Sequence, residues 1–198
     1  MIRLAVESDS AAIARIYSPA VTDHPTSFER VPPDANEMAA RMRNIGAQYP
    51  WLVREEDGVV VGYAYASPHR DRWAYQWSVD VCVYVDSTVH RRGTGRALYT
   101  SLFAVLVLQG YRNAYAGIAL PNPASEGLHL AVGFVPVGVY HRVGYKFGAW
   151  HDVAWFERQL AERIADPPAP VPFPELLGDP VLMDAIASGE RREDLYRS

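Results

Sequence analysis

Residues 83–100 read VYVDSTVHRRGTGRALYT. An alternating apolar stretch, typical of a strand, leads into a basic turn with two glycines, and the apolar spacing after the turn predicts a helix. The first backbone N–H groups of a helix have no intrahelical partner, and they lie at the positive end of the helix dipole. This stretch therefore predicts a binding site for a phosphate or pyrophosphate at the start of the helix.

The composition of the turn suits an anion. Gly93 and Gly95 lack a Cβ, so the main chain at these positions can approach the anion closely. Positive charge around the same point comes from Arg91, Arg92 and Arg96. A Gly-rich turn on a solvated surface stays open as the alternative interpretation.

Two other phosphate-binding motifs do not fit the turn. The Rossmann fingerprint G-x-G-x-x-G requires a glycine three residues after Gly95, where this chain has Leu98. The Walker A pattern G-x-x-x-x-G-K-[ST] does not occur in the sequence. DNA contact by the arginines is poorly supported, because this is a single basic turn on an acidic chain.

The composition is that of a soluble globular protein, since 49% of the 198 residues are hydrophobic and 21% are charged. The net charge of −4 disfavours nucleic acid or an anionic membrane as a partner. Cys82 is the only cysteine, and the N-terminal segment lacks the apolar run of a signal peptide. The six histidines show no close metal-ligand spacing. We therefore expect a cytoplasmic protein without a metal.

Strand and helix patterns alternate along the chain, which predicts an α/β fold. Strands are predicted at residues 2–6, 51–54, 59–67, 77–85, 115–120, 134–140 and 150–156. Helices are predicted at residues 10–17, with Asp9 as the N-cap, and at 34–45, 94–109 and 124–132. The segment ADPPAPVPFPE at 165–175 holds five prolines and cannot form a helix or a central strand. We divide the chain into a domain, 1–163, and a proline-rich C-terminal extension, 164–198, with a weak helix at 180–188.

The segment 90–95, HRRGTG, resembles the Q/R-x-x-G-x-G/A pyrophosphate loop of the GCN5-related N-acetyltransferase (GNAT) superfamily. Further motifs in the same order extend the resemblance over about residues 2–160, and they are most similar to the phosphinothricin and methionine sulfoximine acetyltransferase group. These motifs lie at 49–53, 72–75, 83–85, 120–122, 133–134, 143–146 and 148–153. The resemblance implies a mixed, twisted sheet of about seven strands flanked by helices. Two central parallel strands would splay apart to hold acetyl-CoA, the acetyl donor.

The resemblance also implies which residues contact the cofactor. Backbone groups of Val83, Tyr84 and Val85 would pair with the pantetheine arm, much as another strand would. Main-chain amides of the turn would hold the pyrophosphate; they belong to Arg91, Arg92, Gly93, Thr94, Gly95 and Arg96. The side chain of Asn122, just after a predicted strand, would contact the cofactor; the alternative is a loop-forming Asn between two prolines. His90 stands where the family has Gln or Arg, so one contact is expected to differ.

Acetyl transfer to an amine requires the amine to lose a proton, and the family has a Glu for this purpose four residues before the Tyr of its V-Y-V strand. That position is Asp80 here, one methylene shorter by about 1.5 Å. We predict Asp80 as the base; the alternative is an ordinary surface carboxylate. His129, where wider relatives have a Tyr, would protonate the departing thiolate or would only pack. Cys82 shares the face of Asp80, so an acyl-cysteine route stays open.

The predicted substrate is a small amine, namely an amino acid or analogue with a polar or anionic head. Arg72 would bind its oxygens, Trp73 and Tyr75 would wall the pocket, and Phe28 on the long early loop would form a lid. Relatives are often dimers, so we expect a homodimer, with a loop at 145–146 reaching the neighbouring subunit. A non-catalytic acyl-CoA sensor, or an acetyltransferase for another amine, is the alternative function.

Overall fold

The computed structural model describes the backbone of residues 1–197 and the side chains of residues 1–191. The strands are β1 Ile2–Leu4, β2 Trp51–Glu56, β3 Val59–Pro68, β4 Ser78–Val85, β5 Asn113–Ala119, β6 Val135–Lys146 and β7 Ala149–Gln159. The α-helices are α1 Ser10–Thr22, α2 Ala35–Gly46, α3 Thr94–Gln109, α4 Pro123–Ala131 and α5 Pro180–Arg197. The strands form one sheet in the order β1-β2-β3-β4-β5-β7-β6, and among these described strands only β4 and β5 pair in parallel. The predicted α/β class and seven-stranded mixed sheet are confirmed.

Helices cover both faces of the sheet, because alternate residues of each strand point to opposite sides. Buried residues of α1 and α2, such as Ile13 and Met38, pack with Val53 and Tyr63 of the sheet. On the other face, α3 buries Leu98 and other apolar residues against the sheet. Residues of β4 therefore alternate between the α3 side and the side of α1 and α2.

The ends of the first two helices show how local chemistry sets element boundaries. Asp34 caps α2, since its Oδ1 accepts a hydrogen bond from the backbone of Glu37 at 2.8 Å. Asp9 was predicted to cap α1 but makes no such bond. Its carboxylate instead pairs with Arg3 at 2.7 Å and accepts from the Val6 amide at 2.8 Å. The ion pair thus anchors β1 to the start of α1.

The second half of the sheet is longer than the sequence pattern predicted. Strands β6 and β7 form an extended hairpin that reaches the loop after α1. There, Lys146 Nζ donates to the backbone carbonyls of Val21, at 2.6 Å, and of Ser27. Lys146 therefore holds this loop within the same chain. A contact of residues 145–146 with a neighbouring subunit stays a prediction.

The predicted extension packs against the domain rather than projecting from it. The side chains of Phe173, Leu182 and Ile186 belong to the same buried cluster as α3. Helix α5 crosses α3 so closely that a Cβ added at Gly189 would lie 2.1 Å from the Ala97 carbonyl oxygen. The weak helix predicted at 180–188 extends in fact to residue 197. The helix was therefore predicted at its N-terminal half, and only its extent was underestimated.

Candidate active site

The two parallel strands diverge at Asp80. Strands β4 and β5 pair at three positions, of which Asp80 opposite Tyr115 is the last. Beyond this point β4 keeps its antiparallel pairing with β3, up to Val85 opposite Gly62. The edge of β4 that faces β5 therefore has no strand partner from Val81 onward in the described chain. Backbone polar groups on this edge need another partner, and the predicted splay is confirmed.

The Asp80 side chain lies on the face of α1 and α2, at the apex of the splay. Its Oδ1 is 2.6 Å from Nδ1 of His69, the residue that follows β3. Both side chains are largely buried, with 26% of Asp80 and 12% of His69 exposed. Burial raises the pKa of the Asp80 carboxyl above its ordinary value, although the His69 hydrogen bond and the charge of Arg70 oppose this. No motif in the sequence pointed to His69, because its contact with Asp80 arises from the pairing of two strands.

Aromatic rings surround this pair. The His69 imidazole stacks on Tyr115, with ring centroids 4.2 Å apart, and meets Tyr75 edge-on at 5.8 Å. The Trp155 ring of β7 lies 6.3 Å from His69, and the Arg70 guanidinium sits 5.7 Å above its centroid. The carboxylate–imidazole pair thus lies among aromatic rings, with one arginine nearby.

The predicted substrate residues are distributed unevenly around this pair. Tyr75 is 43% exposed beside His69, whereas Trp73 is 75% exposed and packs edge-on against Trp77. Arg72 is exposed at the start of the short 3-10 turn Trp73–Tyr75. The arginine whose charge acts on Asp80 is Arg70, two residues earlier. The spacing of Arg70 and Arg72 in the sequence could not reveal which of them lies closer to Asp80.

Phe28, the predicted lid, lies against the β6–β7 hairpin. A Cβ added at Gly144 would come within 2.1 Å of its ring, so only glycine leaves room for Phe28 there. The ring also lies 6.3 Å from the His151 imidazole. Phe28 is 41% exposed, and its place at the hairpin is set by the packing of the loop that Lys146 holds.

Cys82 follows Asp80 on the same face of β4. Burial raises the pKa of the Cys82 thiol to about 11, so the thiolate is scarce at neutral pH. Its neighbour Tyr65 stacks on Trp51 with ring centroids 4.2 Å apart, and Tyr84 stacks on Tyr63 at 5.3 Å. Cys82 therefore belongs to an aromatic layer of the core, and these surroundings disfavour its use as a nucleophile.

The turn before α3 has the geometry that the sequence predicts for an anion site. Gly93 has φ 86° and Arg91 has φ 63°, both in the left-handed region. The hydrogen-bond ladder of α3 begins with the Ala97 amide donating to the Gly93 carbonyl at 2.9 Å, so the Thr94 and Gly95 amides precede it. The Thr94 hydroxyl is buried without a hydrogen-bond partner among the described residues. Together these hydrogen-bond donors and the positive end of the helix dipole form a site that suits an anion.

Other residues of the turn contact β4 and α4. The His90 Nε2 donates to the Val85 carbonyl at 3.0 Å, which closes the turn onto the end of β4. Gly95 leaves room for Leu128 of α4, since a Cβ there would lie 3.0 Å from that side chain. Arg96 donates to the Ala131 carbonyl at 3.1 Å, at the end of α4. Arg91 and Arg92 are exposed. The turn is thus tied to both β4 and α4.

Asn122 is the N-cap of α4, because its Oδ1 accepts from the Ser125 amide at 3.1 Å. This cap explains an Asn between two prolines on structural grounds, and it leaves the predicted cofactor contact untested.

His129 of α4 is buried, with 4% of the residue exposed. Its Nδ1 donates to the Ser125 carbonyl at 2.7 Å, so its Nε2 accepts from the Tyr99 hydroxyl at 2.9 Å. Burial lowers the pKa of the imidazole, which keeps the ring neutral. Both nitrogens are engaged inside the core, and this geometry favours the packing role over the predicted role as general acid.

Within the described residues, no group of three or more His, Cys, Asp or Glu side chains could hold a metal ion. None of the described helices combines the length and the apolar character that crossing a bilayer would need.

A family model for the acetyltransferase (GNAT) domain matches residues 2–155. The chain is 38% identical over 170 residues to the phosphinothricin N-acetyltransferase of Streptomyces viridochromogenes, covering 86% of this chain and 92% of that protein. It is 35% identical to the L-methionine sulfoximine/L-methionine sulfone acetyltransferase of Salmonella typhimurium, covering 83% and 96%. A crystal structure of a Sinorhizobium meliloti phosphinothricin acetyltransferase in complex with AcCoA superposes with a TM-score of 0.81 at 36% identity, covering 88% and 96%.

Fold and site together define an N-acetyltransferase that depends on acetyl-CoA: a splayed parallel pair with a carboxylate at its apex and an anion-binding helix mouth beside it. The chain belongs to the GNAT family of acetyltransferases. Its sequence is similar to those of the phosphinothricin and methionine sulfoximine enzymes. The alternative of a non-catalytic sensor is not favoured, because the relatives are named as acetyltransferases.

Proposed function

We propose that this protein acetylates the α-amino group of a small amino acid or analogue, such as phosphinothricin, methionine sulfone or methionine sulfoximine. The observation that carries the proposal is the Asp80 carboxylate at the apex of the splay, paired with His69, whose ring contacts Tyr75, Tyr115 and Trp155. A site of this kind suits a small zwitterion better than a peptide, because aromatic rings surround the imidazole beside the carboxylate. The names of the relatives support the same substrate class.

The residues present fit acetyl-CoA, which supplies the acetyl group as a thioester. The buried, unpartnered Thr94 hydroxyl and the amides at the start of α3 would receive the pyrophosphate, with Arg91 and Arg92 adding charge. The unpaired edge of β4 at residues 83–85 would hold the pantetheine arm, and Asn122 would contact it from the other side of the splay.

Asp80 is the basic centre of the proposed reaction. An α-amino group has a pKa of about 7.7–8.0, so most of it carries a proton at neutral pH. The carboxylate favours the loss of this proton, directly or through an intervening group, and the amine then attacks the thioester carbon directly. Main-chain N–H groups near Val83 would donate to the carbonyl oxygen as it gains charge. No step uses Cys82, whose thiol stays protonated.

For the substrate, we propose a division of labour along the loop after β3. Arg70, above the Trp155 ring, lies nearest the base and would bind the substrate carboxylate. Arg72 and Trp73, exposed on the same loop, would form the outer rim that meets the side-chain head. Phe28 would close the pocket as a lid from the β6–β7 side.

The test is release of free thiol from acetyl-CoA with a panel of amines: phosphinothricin, methionine sulfone, methionine sulfoximine, ordinary amino acids, spermidine and an N-terminal peptide. We expect turnover with small amino acids that carry a polar head, and none with spermidine or the peptide. Calorimetry with acetyl-CoA alone provides the control for folding. Cofactor binding without thiol release for any amine would refute the proposal in favour of a sensor.

We also propose a homodimer in the cytoplasm. The support for a dimer is the apolar surface of β6, an edge strand on which Val135, Val137 and Tyr140 are more than half exposed. The support for the cytoplasm is a single cysteine in the whole sequence. Sedimentation velocity should give the mass of a dimer for the wild type and of a monomer for Val137→Lys. A monomeric wild type at high concentration would rule the dimer out.

A further inference from the structure

The carboxylate of Asp80 does not face the splay alone. A Glu at this position would reach about one methylene further, on the order of 1.5 Å. In place of that reach, Asp80 Oδ1 is engaged by the His69 ring at 2.6 Å. The pairing is enforced by the sheet, because Pro68 at the end of β3 is in register with Val79. The β3–β4 connection therefore places His69 directly beside Asp80.

The ring of His69 is held on several sides. It stacks on Tyr115 at 4.2 Å, and it meets Tyr75 and Trp155 in edge-to-face contacts at 5.8 and 6.3 Å. With an ionised Asp80, Nδ1 carries the hydrogen and Nε2 keeps a lone pair. No described residue makes a hydrogen bond to Nε2, and this atom is not among those buried without a partner. The Nε2 atom therefore opens to the pocket.

We propose that His69 is a catalytic residue of this enzyme: its Nε2 receives the proton of the amine, while Asp80 orients the ring and stabilises the imidazolium. The proposal rests on the acetyltransferase activity proposed above and assigns its proton acceptor. Imidazole suits this task, because it changes its charge within the range of physiological pH. The imidazole ring also spans the distance that a Glu side chain would cover and that the shorter Asp80 side chain does not.

The proposed reaction conserves protons and electrons. The ammonium substrate holds three protons on nitrogen; one passes to His69 Nε2, and the lone pair so freed forms the new N–C bond. The C–S bond breaks, and its electrons leave on the sulfur. A second proton moves from nitrogen to the sulfur, which gives the thiol, and the third remains in the amide. His69 then returns its proton to solvent, so each turnover releases one proton.

Among the described side chains, titratable and charged groups face His69 from β4, from β5 and from its own loop. Asp80 comes from β4, Arg70 and Tyr75 come from the same loop, and Tyr115 comes from β5. Glu157 of β7 lies opposite Tyr115 in the register and contributes a negative charge at that ring.

His69→Phe keeps an aromatic ring on Tyr115 and removes both nitrogens, whereas His69→Gln keeps a donor toward Asp80 but cannot take up a proton. We expect kcat to fall by about 100-fold or more in both variants, as for loss of a general base. The dissociation constant of acetyl-CoA, measured by calorimetry, should stay unchanged. The matched control is His141→Phe, because His141 pairs with Asp152 at 3.1 Å but is 77% exposed on β6. Turnover of this control should equal that of the wild type.

A readout independent of turnover comes from the nitrogen resonances of His69 in the free protein. Long-range proton–nitrogen correlation should show Nδ1 protonated and Nε2 unprotonated, and Asp80→Asn should abolish that tautomer preference. An Nε2-protonated ring, or a His69→Phe variant with kcat within twofold of the wild type, would overturn the assignment and leave Asp80 acting alone. If the wild type itself releases no thiol with any amine, the proposed activity fails instead, and the two failures are distinct.

Discussion

Asp80 on β4 lies opposite Tyr115 on β5 at the last position where these parallel strands pair. The carboxylate consequently stands where ordinary sheet ends and an opening begins. Backbone groups beyond it are released from the ladder, while the residue itself is still held by pairing on both sides. A rigid base beside an unpaired edge is what direct transfer between two bound reactants requires, because their relative position sets the rate.

The turn before α3 leads to a prediction about cofactor affinity. Gly93 has φ 86°, and Gly58 in the β2–β3 turn has φ 77° with no atom near its missing Cβ. Gly93→Ala and Gly58→Ala should each destabilise the protein by about 1–2 kcal/mol through backbone strain. Only Gly93→Ala should also weaken acetyl-CoA binding, as measured by calorimetry. Equal affinities for both variants would mean that the turn does not contact the cofactor.

Cys82 provides a test of the direct-attack mechanism. Since the pKa of its thiol is raised to about 11, alkylation by iodoacetamide should be slow at neutral pH and should accelerate only in alkaline solution. Cys82→Ala should retain the turnover of the wild type, apart from a modest loss of stability. A loss of turnover without a loss of acetyl-CoA binding would instead support an acyl-cysteine route.

The contact between α5 and α3 predicts a sensitivity to overpacking. A methyl group at Gly189 would meet the Ala97 carbonyl oxygen at 2.1 Å, so the two helices would have to separate. We expect Gly189→Ala to destabilise the fold by about 1–3 kcal/mol, or roughly 2–4 °C in Tm for each kcal/mol. Gly138→Ala, which has no atom within 4 Å, is the control and should leave Tm nearly unchanged. Equal Tm values for the two variants would contradict this packing.

An ion pair near the turn predicts a pH dependence of stability. The guanidinium of Arg15 and hydrogen bonds from Thr88 lower the pKa of Asp86 to about 2, from 3.8. A depressed carboxyl pKa contributes stability above the unfolded-state value, and this contribution is lost as the pH falls toward the folded-state value. The wild type should therefore exceed Arg15→Met in free energy of unfolding near neutral pH.

That difference should narrow as the pH falls from about 4 to about 2, in urea titrations. The control is Arg43→Met, because the Arg43–Glu7 pair is exposed on both sides and should add little at any pH. A difference between the wild type and Arg15→Met that stays constant down to the lowest pH would assign the effect to the Arg15 bond with the Val60 carbonyl instead.

Local patterns in the sequence predicted most of the fold and part of the candidate site. Alternation and turn residues located the strands, the bounds of α3 agree with the prediction residue for residue, and Gly110 ends that helix in the left-handed conformation as expected. The anion-binding turn was readable because its glycines, its arginines and the following helix are neighbours in sequence. The resemblance to the GNAT family likewise implied Asp80, which the sheet then placed at the apex of the splay.

Tertiary structure alone decided what surrounds that carboxylate. His69 reaches Asp80 across an antiparallel connection, and Tyr115 and Trp155 arrive from strands paired further along the chain. Contacts between distant residues also decide that Arg70 lies over the Trp155 ring. They decide as well that α5 packs against α3. Spacing reveals groups that share one element, because a helix or strand has a fixed period. Groups brought together by strand pairing and packing follow from the register and shape of the whole sheet, which no local pattern contains.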